Sequence, residues 1–199
     1  MRRSLHFVPG GNDRMFEKAL KLPADSLILD LEDSVTPSNK KAARDEVCNW
    51  IKEIDFENQE CLVRINPLDT SWGLDDLQAV AEALPDGIVL PKVAKKKDVT
   101  KIDSIVGDVE RQKQIEEGSI SFVLIGTEVP EAVFNLYKMA KIPRVDAITW
   151  GAEDLSGALG AKAKRDSEGN YLEVFSYVRS ACLLAAVAGD ANPIDAVYV

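Results

Sequence analysis

Short apolar runs alternate with helical patterns along this chain, and this alternation constrains the fold more than any other feature. The runs are rich in valine, isoleucine and leucine, which is typical of strands that are buried on both faces of a parallel sheet. The segments between them carry apolar residues at the spacing of one helix face. The pattern predicts seven strands, over residues 4–8, 26–31, 61–65, 87–90, 120–125, 145–150 and 194–199.

Strands that alternate with helices predict an α/β fold with a parallel sheet and helices outside it. Seven strands with six helical connections fit a TIM (β/α)8-type barrel better than a doubly wound sheet, since the chain has no GxGxxG or GxxxxGK[ST] phosphate loop. A barrel of this type takes about 250 residues, whereas this chain has 199. We therefore expect residues 1–199 to form a single, incomplete TIM-barrel domain, truncated after the seventh strand.

Net charge, cysteine spacing and the length of the apolar runs exclude several classes of partner and location. The net charge of −9 argues against nucleic acid or an anionic membrane surface as the main partner. Cys48, Cys61 and Cys182 match no zinc spacing, so we expect reduced thiols that are buried or half-buried. No apolar run is long enough to span a membrane, and the N-terminal apolar stretch is too short for a signal peptide. These features predict a cytoplasmic protein.

The segment RVDAITWGAEDLSGALG, residues 144–160, is the strongest candidate for part of a functional site. A predicted strand ends at Trp150, Gly151 gives a sharp exit, and Glu153 and Asp154 follow directly. Acids in the turn from a parallel strand to a helix occupy the position where α/β proteins usually build their sites. The alternative is that Asp154 only caps the next helix.

Similar acids and two cations follow the other predicted strands. Because the carboxyl ends of parallel strands meet at one edge, we expect these side chains to gather there. They are Asp30, Glu32, Asp33, Arg64, Lys92, Glu128, Glu153 and Asp154.

Crowded carboxylates must be protonated, paired or bound to a cation. Arg64 and Lys92 could neutralise two of them. Magnesium takes one or two carboxylates together with water and substrate, so Glu128 and Asp154, from adjacent strands, are the predicted metal ligands. The alternative is a set of ion pairs without a ligand.

Several residues suggest lesser roles. His6 lies within the first predicted strand, where a core or rim position is favoured over catalysis. Lys92 could form a Schiff base or could only pair charge with nearby acids. Arg2, Arg3 and Lys18 are candidates for holding phosphates near the rim of the barrel.

Several segments together resemble the citrate lyase beta-subunit-like family of the HpcH/HpaI aldolase superfamily, which includes malyl-CoA and citramalyl-CoA lyases. The most specific combination is VRINP from residue 63, TE at 127–128 and GAEDL at 151–155. The resemblance also covers RRSLHFVPGGNDRMFEKAL (2–20), ADSLILDLEDSV (24–35), NKKAAR (39–44), DGIVLPKV (86–93) and IDAVYV (194–199).

This resemblance implies a Mg²⁺-dependent carbon–carbon lyase that cleaves a 3-hydroxyacyl-CoA, such as malyl-CoA or citramalyl-CoA, to an acyl-CoA and an oxoacid. By motif position, Glu128 and Asp154 would bind magnesium, with Glu128 also next to the substrate. Arg64 would hold the oxoacid or stabilise the enolate, and Glu32 and Asp33 would lie near the waters of the metal. The family also implies a homo-oligomer.

One departure from the family pattern leaves alternatives open. Family members continue with an eighth strand and a C-terminal segment that brings a catalytic acid to a neighbouring subunit, so the general acid–base cannot be named in this sequence. One alternative is a catalytically weak or inactive fragment that binds CoA or a partner subunit. Another is a metal-dependent aldolase that acts on a free oxoacid.

Overall fold

The computed structural model describes residues 2–197, in which parallel strands alternate with helices. This confirms the α/β class, and the alternation in chain order is that of a TIM-type barrel through its seventh strand. The strands are β1 (Leu5–Pro9), β2 (Ser26–Asp30), β3 (Glu60–Arg64), β4 (Gly87–Leu90), β5 (Ser121–Ile125), β6 (Val145–Thr149) and β7 (Asn192–Ile194). The helices are α1 (Asp13–Ala19), α2 (Lys40–Glu53), α3 (Gly73–Ala83), α4 (Lys96–Lys113), α5 (Pro130–Val133), α6 (Leu136–Ala140), α7 (Ala152–Leu159) and α8 (Glu173–Ala188).

The described chain divides into two compact units, which we treat separately. Unit 1 contains residues 2–89 and 104–121. Its strands β1, β2 and β3 pair in parallel, and Leu62 to Arg64 of β3 pair with the first three residues of β4. All five residues of β2 are buried, as the apolar run predicts. At the start of α1, the side chain of Asn12 accepts a hydrogen bond from the Met15 amide and caps the helix.

Unit 2 contains residues 90–103 and 122–197. Strand β5 pairs in parallel with β6, and β6 with β7. Helix α8 buries Phe175, Val178, Cys182 and Ala186, which recur at helical spacing on one face.

The predicted seventh strand, residues 194–199, is misplaced. Strand β7 covers Asn192–Ile194, and its Asn192 lies opposite Ala147 of β6. Asn192 is polar and Pro193 lacks an amide donor, so the search for apolar runs does not detect the start of this strand. The strand ends where the Asp195 carboxylate accepts a hydrogen bond from Trp150 Nε1 at 2.8 Å. Residues 198–199 lie outside the described part of the chain.

Residues 131–139 carry the apolar spacing of a single helix, but the structure breaks this helix in two. Two short helices, α5 and α6, flank Asn135, whose side-chain amide donates hydrogen bonds to the carbonyls of Ala94 and Glu131. Asparagine favours such local bonds over a continuous helix, which explains the break.

The cysteine prediction is confirmed, since all three thiols are free and buried. Burial raises the pKa of Cys48 to about 11 and that of Cys182 to about 12, so both stay protonated at neutral pH. Among residues 2–197, no helix combines the length and the apolar character that a membrane crossing needs.

Gly73 should be essential for the start of α3. A Cβ atom there would lie 2.2 Å from the Pro67 carbonyl oxygen, a backbone atom that cannot move aside. We expect Gly73→Ala to lower the free energy of unfolding by about 2 kcal/mol or more. Gly157→Ala is the matched control, because a Cβ in α7 would meet no atom within 4 Å and should stabilise the helix by up to about 1 kcal/mol. Urea unfolding measures both, and equal effects would contradict this packing.

Candidate functional site

In unit 1, a bidentate ion pair joins the carboxyl ends of β2 and β3. Arg64 Nε lies 2.7 Å from Asp30 Oδ1, and Arg64 Nη2 lies 2.8 Å from Asp30 Oδ2. Asp30 and Arg64 are also partners in the β2–β3 register. The Asp30 carboxylate is buried and the Arg64 side chain is only 12% exposed. A paired guanidinium and carboxylate in this fork geometry form a strong, directional contact.

The remaining Arg64 nitrogen faces two further acids. Arg64 Nη1 lies 3.1 Å from Glu32 Oε2 and 3.7 Å from Asp33 Oδ2. Glu32 is buried, whereas the Asp33 side chain is 60% exposed. The guanidinium also lies 5.0 Å from the ring centroid of Phe7, a favourable cation–π geometry. We call Asp30, Glu32, Asp33 and Arg64 the arginine cluster.

Local hydrogen bonds shape the turn that presents these acids. Asp30 Oδ1 accepts from the Glu32 amide at 2.8 Å, and Asp30 Oδ2 accepts from the Ser34 amide at 3.1 Å. An aspartate that bonds to amides two and four residues ahead holds a tight turn. The Gly10 amide donates to the Asp30 carbonyl at 2.9 Å, and a Cβ on Gly10 would lie only 2.8 Å from that oxygen.

The charges of the arginine cluster reinforce one another. Burial alone would raise the pKa of Asp30, but hydrogen bonds and charge from Arg64 outweigh it, so this pKa lies below its usual value. Burial likewise disfavours the charged form of Arg64, but Asp30, Glu32 and Asp33 together raise its pKa. The arginine therefore stays charged and is held in one orientation.

In unit 2, two predicted ligand acids contact the same lysine. The Lys92 amide donates to Glu128 Oε2 at 2.6 Å, and Lys92 Nζ lies 3.4 Å from Asp154 Oδ1. Glu128 is 3% exposed, whereas the Asp154 side chain is 37% exposed. Lys92 has a positive φ of 54°, an uncommon backbone for a residue other than glycine that often marks functional sites. We call Glu128 and Asp154 the acid pair; Lys92 contacts both of them.

The turn after β6 brings these acids together. The Gly151 amide donates to Thr127 Oγ1 at 3.0 Å, and a Cβ on Gly151 would lie 3.0 Å from Glu128 Cγ. Asp154 is in the first turn of α7, whose N-cap is Gly151 with no side-chain capping bond. The alternative that Asp154 caps this helix is therefore wrong. The neighbouring Glu153 forms an ion pair with Lys164 instead.

The chemistry of the acid pair fits magnesium. Carboxylate oxygens are the ligands that this hard cation prefers, and it usually takes one or two of them together with water. The missing Cβ of Gly151 lets the Glu128 side chain approach its main chain closely, and Lys92 Nζ contacts Asp154. Within the described residues, no group of three or more His, Cys, Asp or Glu side chains could hold a metal ion.

Arg3 and Lys18, two of the residues predicted to bind phosphates, are not part of the arginine cluster of unit 1. Arg3 precedes β1 and forms an ion pair with Asp25, at the amino end of the strands. Lys18 is an exposed residue in the last turn of α1. A phosphate-binding role for Arg3 and Lys18 stays a prediction. His6 is exposed rather than part of the core.

Sequence reasoning missed the buried polar residues around the arginine cluster. Lys40 donates hydrogen bonds to the carbonyls of Leu31 and Glu32 and is buried, although its neighbour Lys41 is exposed. Asp76 is also buried. No motif separates these residues from solvated charges, and only the helix phase could have indicated them.

Comparison with known proteins gives one family and several relatives. The model of the HpcH/HpaI aldolase/citrate lyase family matches residues 3–199. A (3S)-malyl-CoA thioesterase of Cereibacter sphaeroides is 32% identical over 98% of this chain and 63% of its own length. The citrate lyase subunit beta of Escherichia coli K12 is 34% identical over 99% of this chain and 64% of its own length. The chain thus spans less than two thirds of these relatives.

Solved structures agree with this family. A citrate lyase beta subunit from Mycobacterium tuberculosis, complexed with oxaloacetate and magnesium, has a TM-score of 0.77 and 29% identity, over 98% of this chain and 78% of that one. Protein CitE of the same organism, in complex with magnesium, acetoacetate and coenzyme A, has a TM-score of 0.78 and 29% identity, over 100% of this chain and 68% of that one.

Substitution of Arg64 should lower the stability of the fold. We expect Arg64→Met to lower the free energy of unfolding by about 3 kcal/mol at pH 7, because it leaves the buried Asp30 charge unpaired. In the wild type, the lowered pKa of Asp30 means that the pair contributes stability above about pH 4 and loses it as the pH falls through that pKa. In the variant, uncompensated burial should raise this pKa, so the deficit should shrink as the pH is lowered toward about 4.5.

Urea unfolding at both pH values measures this effect. Arg111→Met is the control, because the Arg111–Asp108 ion pair is more than half exposed on both sides and should change stability little. A deficit for Arg64→Met that does not exceed the control, or that grows on acidification, would contradict the assignment.

Proposed function

The chain belongs to the HpcH/HpaI aldolase/citrate lyase family, and on this premise we propose that it is a magnesium-dependent carbon–carbon lyase. Its proposed substrate is a 3-hydroxyacyl-CoA such as malyl-CoA or citramalyl-CoA. The observation that carries the proposal is the convergence of Glu128 and Asp154 on Lys92, in a family with solved members that bind magnesium.

The proposed reaction places negative charge on two oxygens. The substrate hydroxyl loses its proton, the bond between the hydroxyl carbon and the α-carbon breaks, and the hydroxyl carbon becomes the carbonyl of the oxoacid. The electron pair of that bond passes to the thioester as an enolate, which takes a proton at carbon to give the acyl-CoA. Such a reaction needs fixed positive charge at both oxygens.

The residues of each unit suit one part of this task. Bound magnesium would supply a Lewis acid for the oxygen of the oxoacid, with Glu128 and Asp154 as its protein ligands. The Lys92 amide would keep Glu128 oriented toward the metal and the substrate. Arg64 would bind the carboxylate of the oxoacid or the enolate oxygen. A place for Glu32 and Asp33 near the waters of the metal is implied by the family resemblance alone.

Further parts of the proposal rest on the family and the sequence alone. They are a single incomplete TIM-barrel domain over residues 1–199, a homo-oligomeric assembly and a cytoplasmic location.

A second candidate function is hydrolysis of a CoA thioester. It is favoured by the 32% identity to relatives named (3S)-malyl-CoA thioesterase. The residues proposed for the lyase reaction could also serve hydrolysis, because water attack on a thioester builds charge on a carbonyl oxygen. The two reactions differ in whether a carbon–carbon or a carbon–sulfur bond breaks.

Magnesium should stabilise the protein through Asp154. At a concentration about 100 times its dissociation constant, the ion should stabilise the fold by about 2.7 kcal/mol, which corresponds to a rise of about 5–10 °C in Tm. We expect Asp154→Ala to abolish this rise and Glu153→Ala to retain it, since Glu153 is paired with Lys164. A full rise in Asp154→Ala would contradict the assignment of the ligand.

A product assay separates the candidate functions. With magnesium, malyl-CoA should yield acetyl-CoA and glyoxylate if the chain is a lyase, but malate and free CoA if it is a thioesterase. Release of an oxoacid from a free hydroxyacid without CoA would favour the aldolase alternative. A folded, magnesium-binding protein with no turnover of malyl-, methylmalyl- or citramalyl-CoA would favour the non-enzymatic, CoA- or subunit-binding alternative.

A further inference from the structure

Four buried polar side chains lie next to the arginine cluster in unit 1. They are Lys40, Arg44, Asn66 and Asp76, and each is at most 8% exposed. Charged residues are rarely buried to this extent unless they are paired. Their contacts form one connected network from α2 and α3 to the ends of β2 and β3.

Asp76 is at the centre of this network and has no exposed surface. Its Oδ1 accepts from Arg44 Nη1 at 3.0 Å. Its Oδ2 accepts from both the main-chain amide and the side-chain amide of Asn66, at 3.1 and 2.6 Å. The carboxylate therefore fixes the rotamer of Asn66, the second residue after Arg64.

The network ends on two consecutive carbonyls. Asn66 Nδ2 donates to the Leu31 carbonyl at 2.8 Å. Lys40 Nζ donates to the same carbonyl at 2.8 Å and to the Glu32 carbonyl at 2.6 Å. The Trp72 ring centroid lies 5.5 Å from the Lys40 ammonium.

These carbonyls belong to the segment that presents the acids to Arg64. The Leu31 amide donates to the Arg64 carbonyl at 2.9 Å, and the Glu32 side chain contacts the Arg64 guanidinium. Fixing the Leu31 and Glu32 carbonyls therefore fixes the main chain on which the Glu32 and Asp33 side chains depend.

We propose that Asp76 and Asn66 from one side, and Lys40 from the other, are positioning residues that hold the Leu31–Glu32 main chain and thereby aim the arginine cluster at the substrate. The catalytic consequence rests on the proposed function. A small displacement of a charge-stabilising group lowers turnover strongly. The structural statement, that Asp76 holds this turn, stands independently of that function.

The test compares Asp76→Asn with Asp75→Asn. Asp75 is the neighbouring residue in α3, its side chain is 66% exposed, and it lies 3.5 Å from Arg44 Nη2. Asp76→Asn preserves the volume of the side chain, but it replaces one carboxylate oxygen with an amide NH2 group. That group would face the N–H donors of Arg44 or Asn66. Amide hydrogen exchange over residues 31–35 reports the turn directly, and exchange over Val145–Thr149 in unit 2 is the internal reference.

We expect exchange over residues 31–35 to be at least about tenfold faster in Asp76→Asn, because a buried charged hydrogen bond is lost. The reference strand should be unchanged, and Asp75→Asn should match the wild type. Unchanged exchange over 31–35, or equal acceleration in both segments, would overturn the proposal. If Asp76→Asn does not fold, Lys40→Met decides the question in the same assay, with the exposed Lys41→Met as its control.

Kinetics test the catalytic part. With a substrate that the wild type turns over, Asp76→Asn should lower kcat at least about tenfold while the dissociation constant of magnesium stays within about twofold of the wild type. An unchanged kcat, or a loss of magnesium affinity in parallel with kcat, would overturn the positioning role. If the wild type turns over no CoA thioester, the proposed function fails, and hydrogen exchange still decides whether Asp76 holds the turn.

Discussion

A guanidinium that leaves water has to be paired, and the pair between Arg64 and Asp30 meets this requirement where two strands of unit 1 end. The two residues are partners in the β2–β3 register, so a shift of one residue would turn one of them to the other face and leave a buried charge unpaired. The same pair aligns Arg64 with Glu32 and Asp33. The register of β2 and β3 therefore also sets the geometry of the arginine cluster.

Unit 2 uses a different means to hold its acids. The Glu128 carboxylate is fixed by a main-chain amide, and that amide belongs to Lys92, which has a left-handed backbone. A strained residue of this kind persists only where its surroundings determine it. Here the conformation aims the amide at Glu128 while the side chain reaches Asp154. The glycine that follows β6 leaves space for this arrangement.

Much of this organisation can be predicted from the sequence because it depends on local patterns. Apolar runs locate six of the seven strands to within one or two residues, and the acids that follow them indicate the clusters. The strand at Asn192–Ile194 is misplaced in the prediction because Asn192 is polar and Pro193 lacks an amide donor. The break at Asn135 depends on a bond to the distant Ala94 carbonyl. Lys40 and Lys41 are adjacent in the sequence, and the phase of α2 is the signal that separates the buried Lys40 from the exposed Lys41.

Arg64, which Asp30 holds in one orientation, is the residue that we propose to bind the carboxylate of a small oxoacid. Titration calorimetry of oxaloacetate binding at saturating magnesium tests this proposal most directly, with wild type, Arg64→Met and the surface control Arg111→Met. Arg64→Met should weaken binding at least about tenfold, as should omission of magnesium from the wild type, because each removes a charge-assisted contact. Binding by Arg64→Met that is as tight as in the wild type would contradict the proposal.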